Sequence, residues 1–125
     1  MKAQMNFAEL GSGGGNNACL ETFTDSDMTN CTDANPITIS GSFEGVSIIA
    51  KGIYNVTSGY RDEGFSTVDN PVFGTTYQVN LGKHGSSNQS WRKVTVYSDR
   101  VVIGSGGMNA TTNSDNGLIQ TIAVR

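Results

Sequence analysis

Thr75-Thr76-Tyr77-Gln78-Val79-Asn80-Leu81 alternates without a break: Tyr77, Val79 and Leu81 fall on one side, Thr76, Gln78 and Asn80 on the other. Successive side chains of an extended chain point to opposite faces. The stretch therefore reads as an antiparallel strand with one face on a core and the other in water. Residues 91–97 and 100–103 extend the pattern as two strands joined at Ser98-Asp99, a tight hairpin. Upstream, residues 46–56 carry Val46, Ile48, Ile49, Ile53 and Val56, the β-branched content of a longer strand. Gly52 inside it signals a bulge or a close backbone approach. Ile37-Thr38-Ile39 and residues 118–124 complete a count of about six strands. No window keeps the i, i+3, i+4, i+7 spacing of a helix. The expected fold is all-β, a small antiparallel β-sandwich or barrel.

The leading third differs. Met5, Phe7 and Leu10 give weak periodicity, and Gly11-Ser12-Gly13-Gly14-Gly15 has the composition of a flexible linker. Residues 18–35 are polar and end at Asn35-Pro36. The expected division is an extended N-terminal arm with its Gly-rich linker over 1–35 and a β domain over 36–125. The arm has few apolar residues to bury, and ordering backbone costs about 1–2 kcal/mol per residue. A partner surface is expected to offset that cost, with Met5, Phe7 and Leu10 as the interface residues. Residues 118–125 are expected to offer a strand edge to a neighbouring chain.

A chain of 125 residues fits one domain. Charged residues make up only 15%, and the net charge is −3. Ser, Thr, Asn and the 16 glycines take their place. Eight dispersed basic residues cannot neutralise a run of phosphates, which argues against duplex nucleic acid as a partner. Arg92-Lys93, beside Trp91, reads as a solvated strand edge. No apolar run is long enough to cross a membrane, and no secretory leader follows Lys2, so a cytoplasmic origin is expected. The Asn-x-Ser/Thr matches at Asn30, Asn55, Asn88 and Asn109 are then expected to be chance.

Candidate chemistry is sparse. His84 is the single histidine, placed in a turn between strands, with no nucleophile or carboxylate specified beside it. No catalytic residue, cofactor or metal is assigned. Asp25-Ser26-Asp27 hints at calcium, but the EF-hand spacing fails at Asn30 and Pro36. Gly104-Ser105-Gly106-Gly107 follows a strand without leading into a helix, so it reads as a turn. Cys19 and Cys31 lie twelve positions apart. A disulfide between them would contribute up to about 3 kcal/mol, and two free thiols are the alternative. Aromatics are the most plausible binding feature. Trp91, Tyr60 and Phe65 lie in or beside polar segments, where an aromatic face can stack on a sugar ring while Asn and Gln bond its hydroxyls.

A polar arm, a Gly-rich hinge and a compact β domain ending in Ile119-Gln120-Thr121-Ile122-Ala123-Val124-Arg125 resemble, in organisation over the whole chain, small tailed-phage virion accessory proteins: capsid auxiliary or decoration, head-fibre and tail-adaptor proteins. The resemblance implies a non-enzymatic structural protein, made in the host cytoplasm and assembled on the virion as a homo-oligomer. Its arm would dock on another virion protein, a capsid or tail component. The alternative is a carbohydrate-binding β module or adhesin that recognises surface glycans.

Overall fold

The computed structural model of the chain describes residues 18–55 and 62–125. Its elements are β1 (Ala18–Thr22), α1 (Asp25–Thr29), β2 (Ile37–Ser40), β3 (Ile48–Asn55), β4 (Glu63–Val68), β5 (Thr76–His84), β6 (Asn88–Val96), β7 (Arg100–Met108), β8 (Thr111–Thr112) and β9 (Asn116–Val124). They form two antiparallel sheets. The first has the order β1-β9-β3-β4; the second has the order β2-β7-β6-β5, with β8 added to β7. Between them Phe43, Ile39, Ile48, Ile53, Val94, Ile103, Leu118 and Ile122 are fully buried. The all-β antiparallel sandwich expected from the alternation is the observed fold.

The quoted stretch is β5, with Val79 and Leu81 buried and Thr76, Gln78 and Asn80 exposed. The hairpin at Ser98-Asp99 is present: Val96 pairs with Val101, and the Tyr97 N–H donates to the Arg100 carbonyl at 2.8 Å. Gly52 fulfils both readings of its position. The β3–β9 register shifts between Lys51 and Gly52, and a Cβ at Gly52 would run into the Leu118 carbonyl.

Four expectations are corrected. First, the described part of the leading segment belongs to the sandwich, so the division at 35/36 does not hold. β1 pairs with β9, and Leu20, Phe23, Met28 and Cys31 are buried in the common core. The segment is polar because only Leu20, Phe23, Met28 and Cys31 of residues 18–35 are buried. Thr24 and Asp27 close a capping box on α1: the Asp27 N–H donates to Thr24 Oγ1 at 3.1 Å, and the Thr24 N–H donates to Asp27 Oδ2 at 2.8 Å. Asp27 thus serves the cap that its spacing from Thr24 encodes. Second, β9 is not an edge strand, since β1 and β3 flank it on both sides. Of the outer strands, β1 and β2 are short, five and four residues, and β4 closes against β5.

Third, Arg92 is not a solvated edge residue. It is fully buried and uses all five of its N–H groups. Nε donates to Gly117 O at 2.7 Å. Nη1 donates to Cys31 O at 2.9 Å and Gly104 O at 3.1 Å. Nη2 donates to Ser114 O at 3.0 Å and Asn116 O at 3.2 Å. The guanidinium therefore ties the connection after α1, strand β7 and the turn into β9 to one point. Burial pulls its pKa down to about 10, which leaves it charged at neutral pH. Fourth, Gly104–Gly107 is strand, not turn. Its glycines leave room for neighbouring side chains: a Cβ at Gly106 would meet Arg92 Cζ at 2.7 Å, and one at Gly107 would enter the Trp91 ring.

Candidate functional site

β4 and β5 belong to different sheets but run against each other along a seam. Glycines permit the approach, because a Cβ at Gly64 would collide with the Leu81 carbonyl and one at Gly82 with the Asp62 carbonyl. Ser66 Oγ donates across the seam to the Asn80 carbonyl at 2.6 Å. Outside this contact the strands diverge into a groove of about 310 Å³, lined by Ser66, Thr67, Val68, Asp69, Tyr77, Gln78, Val79 and Asn80. Gln78 and Asn80 are two residues apart on the outward face of β5, so their amides point the same way. Thr67 and Phe65 stand in the same relation on β4. Phe65 is 71% exposed, the most exposed large apolar residue among those described. The Tyr77 hydroxyl accepts from the Val72 N–H at 2.9 Å, which holds the exposed Val72 and Phe73 beside the groove. The lining carries one charge, Asp69, and Arg125 Nη2 pairs with it at 2.9 Å.

The expected stacking residues separate. Phe65 is exposed on the same face of β4 as Thr67 and is not itself part of the lining. Trp91 is buried, only 6% exposed, with its indole N–H donating to Asn109 O at 2.9 Å and its ring covering Gly107. Tyr60, like the arm residues Met5, Phe7 and Leu10, lies outside the described residues. Cys19 and Cys31 are both free, Cys19 exposed and Cys31 buried, so the disulfide is not formed. Cys31 Sγ instead donates to Ile103 O at 3.1 Å, and burial pushes the thiol pKa up. A native-state thiol assay is expected to titrate Cys19 promptly and Cys31 only after denaturant is added; prompt reaction of both would contradict the burial.

A second, smaller depression of about 240 Å³ lies on the outer face of the β2-β7-β6-β5 sheet, lined by residues that include Thr76, Lys93, Thr95 and Asp33. Thr76 and Thr95 hydroxyls share a hydrogen bond at 2.7 Å. Asp33 Oδ2 accepts from Lys93 Nζ at 2.8 Å, and Oδ1 accepts from the Ser105 N–H at 2.9 Å. The Lys93 hydrogen bond, then the Ser105 N–H, hold the Asp33 carboxyl below the usual carboxylate range. A depressed carboxylate pKa stabilises the fold above the unfolded value of about 3.9, and that contribution is lost as pH falls through the folded value. Asp33→Asn is therefore expected to flatten the fall in melting temperature below about pH 4, while leaving a small loss at pH 7, because the pair is half exposed. An unchanged acid limb would contradict this assignment.

The remaining candidates are accounted for locally. His84 stacks on Tyr54 with ring centroids 5.1 Å apart. Among the described residues, no three His, Cys, Asp or Glu side chains are placed to share a metal ion, and no helix is long and apolar enough to cross a membrane. The groove is not legible in the sequence, because Gly64 and Asn70-Pro71 punctuate the stretch that holds β4. Its signal was the alternation of Gly64, Ser66 and Val68 against Phe65 and Thr67. No family model, curated protein or solved structure matches the chain.

Proposed function

We propose that the chain is a non-enzymatic structural protein of a tailed-phage virion, in a capsid auxiliary, head-fibre or tail-adaptor role. Its leading residues dock on another virion protein and its sandwich projects from the particle. The reading is supported by the order of segments along the sequence. Among the described residues, pairing starts at Ala18, opposite Val124, and the core runs from Leu20 to Val124. The Gly11–Gly15 run thus leads almost directly into a sheet, and Met5, Phe7 and Leu10 lie on its far side in sequence. A body whose outer strands are short or closed on each other suits a projecting element, since it offers little open backbone to further chains.

The proposal places the protein on the virion as a homo-oligomer, with a capsid or tail component as partner and without a cofactor. Deleting residues 1–15 is expected to abolish incorporation into particles while leaving the melting temperature within about 2 °C of the full chain. Full occupancy by the truncated chain would overturn the docking role of that segment.

A further inference from the structure

We propose that the β4–β5 groove is a binding site for a neutral oligosaccharide, with Phe65 as the stacking platform and the Gln78 and Asn80 amides as partners of the sugar hydroxyls. Three observations carry this inference, and none depends on the particle on which the chain is mounted.

The first is polarity without charge. Thr67, Gln78 and Asn80 supply hydroxyl and amide groups, and Asp69 is neutralised by Arg125. Among the described residues, none hydrogen-bonds the Thr67 hydroxyl or the Gln78 and Asn80 side-chain amides, and all three border the groove. An amide donates and accepts at once, as a sugar hydroxyl does, so each can engage a pair of neighbouring hydroxyls. A phosphate, sulfate or sialate would meet no free cation in the lining.

The second is the aromatic. Phe65 sits between Gly64, which touches Leu81, and Ser66, which bonds to Asn80. Its side chain alternates with Gly64 and Ser66 and shares its face of β4 with Thr67, which lines the groove. A ring 71% exposed on a rigid strand is costly to leave in water and loses little side-chain entropy on binding. The apolar face of a pyranose suits it.

The third is an obstacle to a peptide strand. Strand addition requires a free row of backbone N–H and C=O groups. β5 is bonded to β6 on one side, and β4 is bonded to β3. On their facing sides the two strands close on each other through Gly64 and Gly82, and the Asn80 carbonyl is already taken by Ser66. A peptide strand added here would have to displace the Ser66 hydroxyl from the Asn80 carbonyl and open the contact at Gly64 and Gly82.

The test uses the full chain, displayed multivalently on a printed array of neutral hexose and N-acetylhexosamine oligosaccharides, with sialylated and sulfated members alongside. Binding to neutral members is expected. Phe65→Ala and the double variant Gln78→Ala/Asn80→Ala are each expected to lower it at least tenfold with unchanged melting temperature, while Phe65→Trp retains it. The inference is overturned if the wild-type chain binds no member of the array, if it binds only acidic members, or if binding persists in both alanine variants. Loss of particle docking on removal of residues 1–15, with glycan binding retained, would separate this site from the virion proposal.

Discussion

Replacing Arg92 with methionine is expected to destabilise the protein by at least about 4 kcal/mol, the largest effect of any single side-chain truncation in the sandwich. The loss comes from the acceptors more than from the charge. Five backbone carbonyls, on Cys31, Gly104, Ser114, Asn116 and Gly117, face the guanidinium. A buried polar group left without a partner costs roughly 1–3 kcal/mol, and breaking a buried charged network roughly 3–5 kcal/mol. Methionine fills much of the volume and satisfies none of the carbonyls. For a chain of this length such a loss lowers the melting temperature by more than about 12 °C. It also consumes much of the ~5–15 kcal/mol that holds a typical domain folded. Arg92→Lys is expected to recover little, because three donors on one nitrogen cannot reach acceptors spread around a planar fork. Urea unfolding of the two variants measures both effects; a loss under about 1 kcal/mol in Arg92→Met would show that the carbonyls find other partners.

Gly117→Ala is expected to cost about 3 kcal/mol or more, although it adds a single methyl group. Gly117 has φ +67°, a conformation in which an L side chain is strained by about 1–2 kcal/mol. Its position is also closed sterically: a Cβ there would overlap the Trp91 carbonyl, and the Trp91 nitrogen stands 3.1 Å away. Backbone of β6, in the facing sheet, cannot move aside as a flexible side chain can, so overpacking adds about 1–3 kcal/mol. Gly117 also supplies the carbonyl that accepts from Arg92 Nε. Displacing the turn weakens that bond, so the two substitutions are expected to be less than additive. Thermal melts of the two single variants and the double variant give the coupling; strict additivity would mean that the turn and the guanidinium act independently.

The strands that alternate cleanly were legible in the sequence because burial of one face leaves a period of two. β5 reads directly, and so do β3 with its bulge at Gly52 and the β6–β7 hairpin. Arg92 was misread because its charge outweighed its position. It shares the parity of Val94 and Val96, both fully buried, and that parity placed it inside. Trp91, one residue away, has the outward parity, and the β7–β8 turn covers it. No local pattern reveals that cover. The glycines at 104, 106 and 107 looked like turn residues because their role is to make room for Asp33, Arg92 and Trp91. Such a role depends on residues distant in sequence. β1 and α1 were hidden by a polar segment in which only Leu20, Phe23, Met28 and Cys31 are fully in the core, with Ala18 packed against it. Of the candidate site, Phe65 was legible as an exposed aromatic. Its neighbours Gln78 and Asn80 were legible only as a solvent face, since the seam that makes them a groove joins two sheets.

The most direct test of the proposed role is quantitative mass spectrometry of purified virions from the source host. The account predicts this chain in many copies per particle, with peptides spanning residues 1–17 protected from limited proteolysis relative to the free protein. Particles that contain none of it, recovered from lysates in which the chain is abundant and free, would contradict the account.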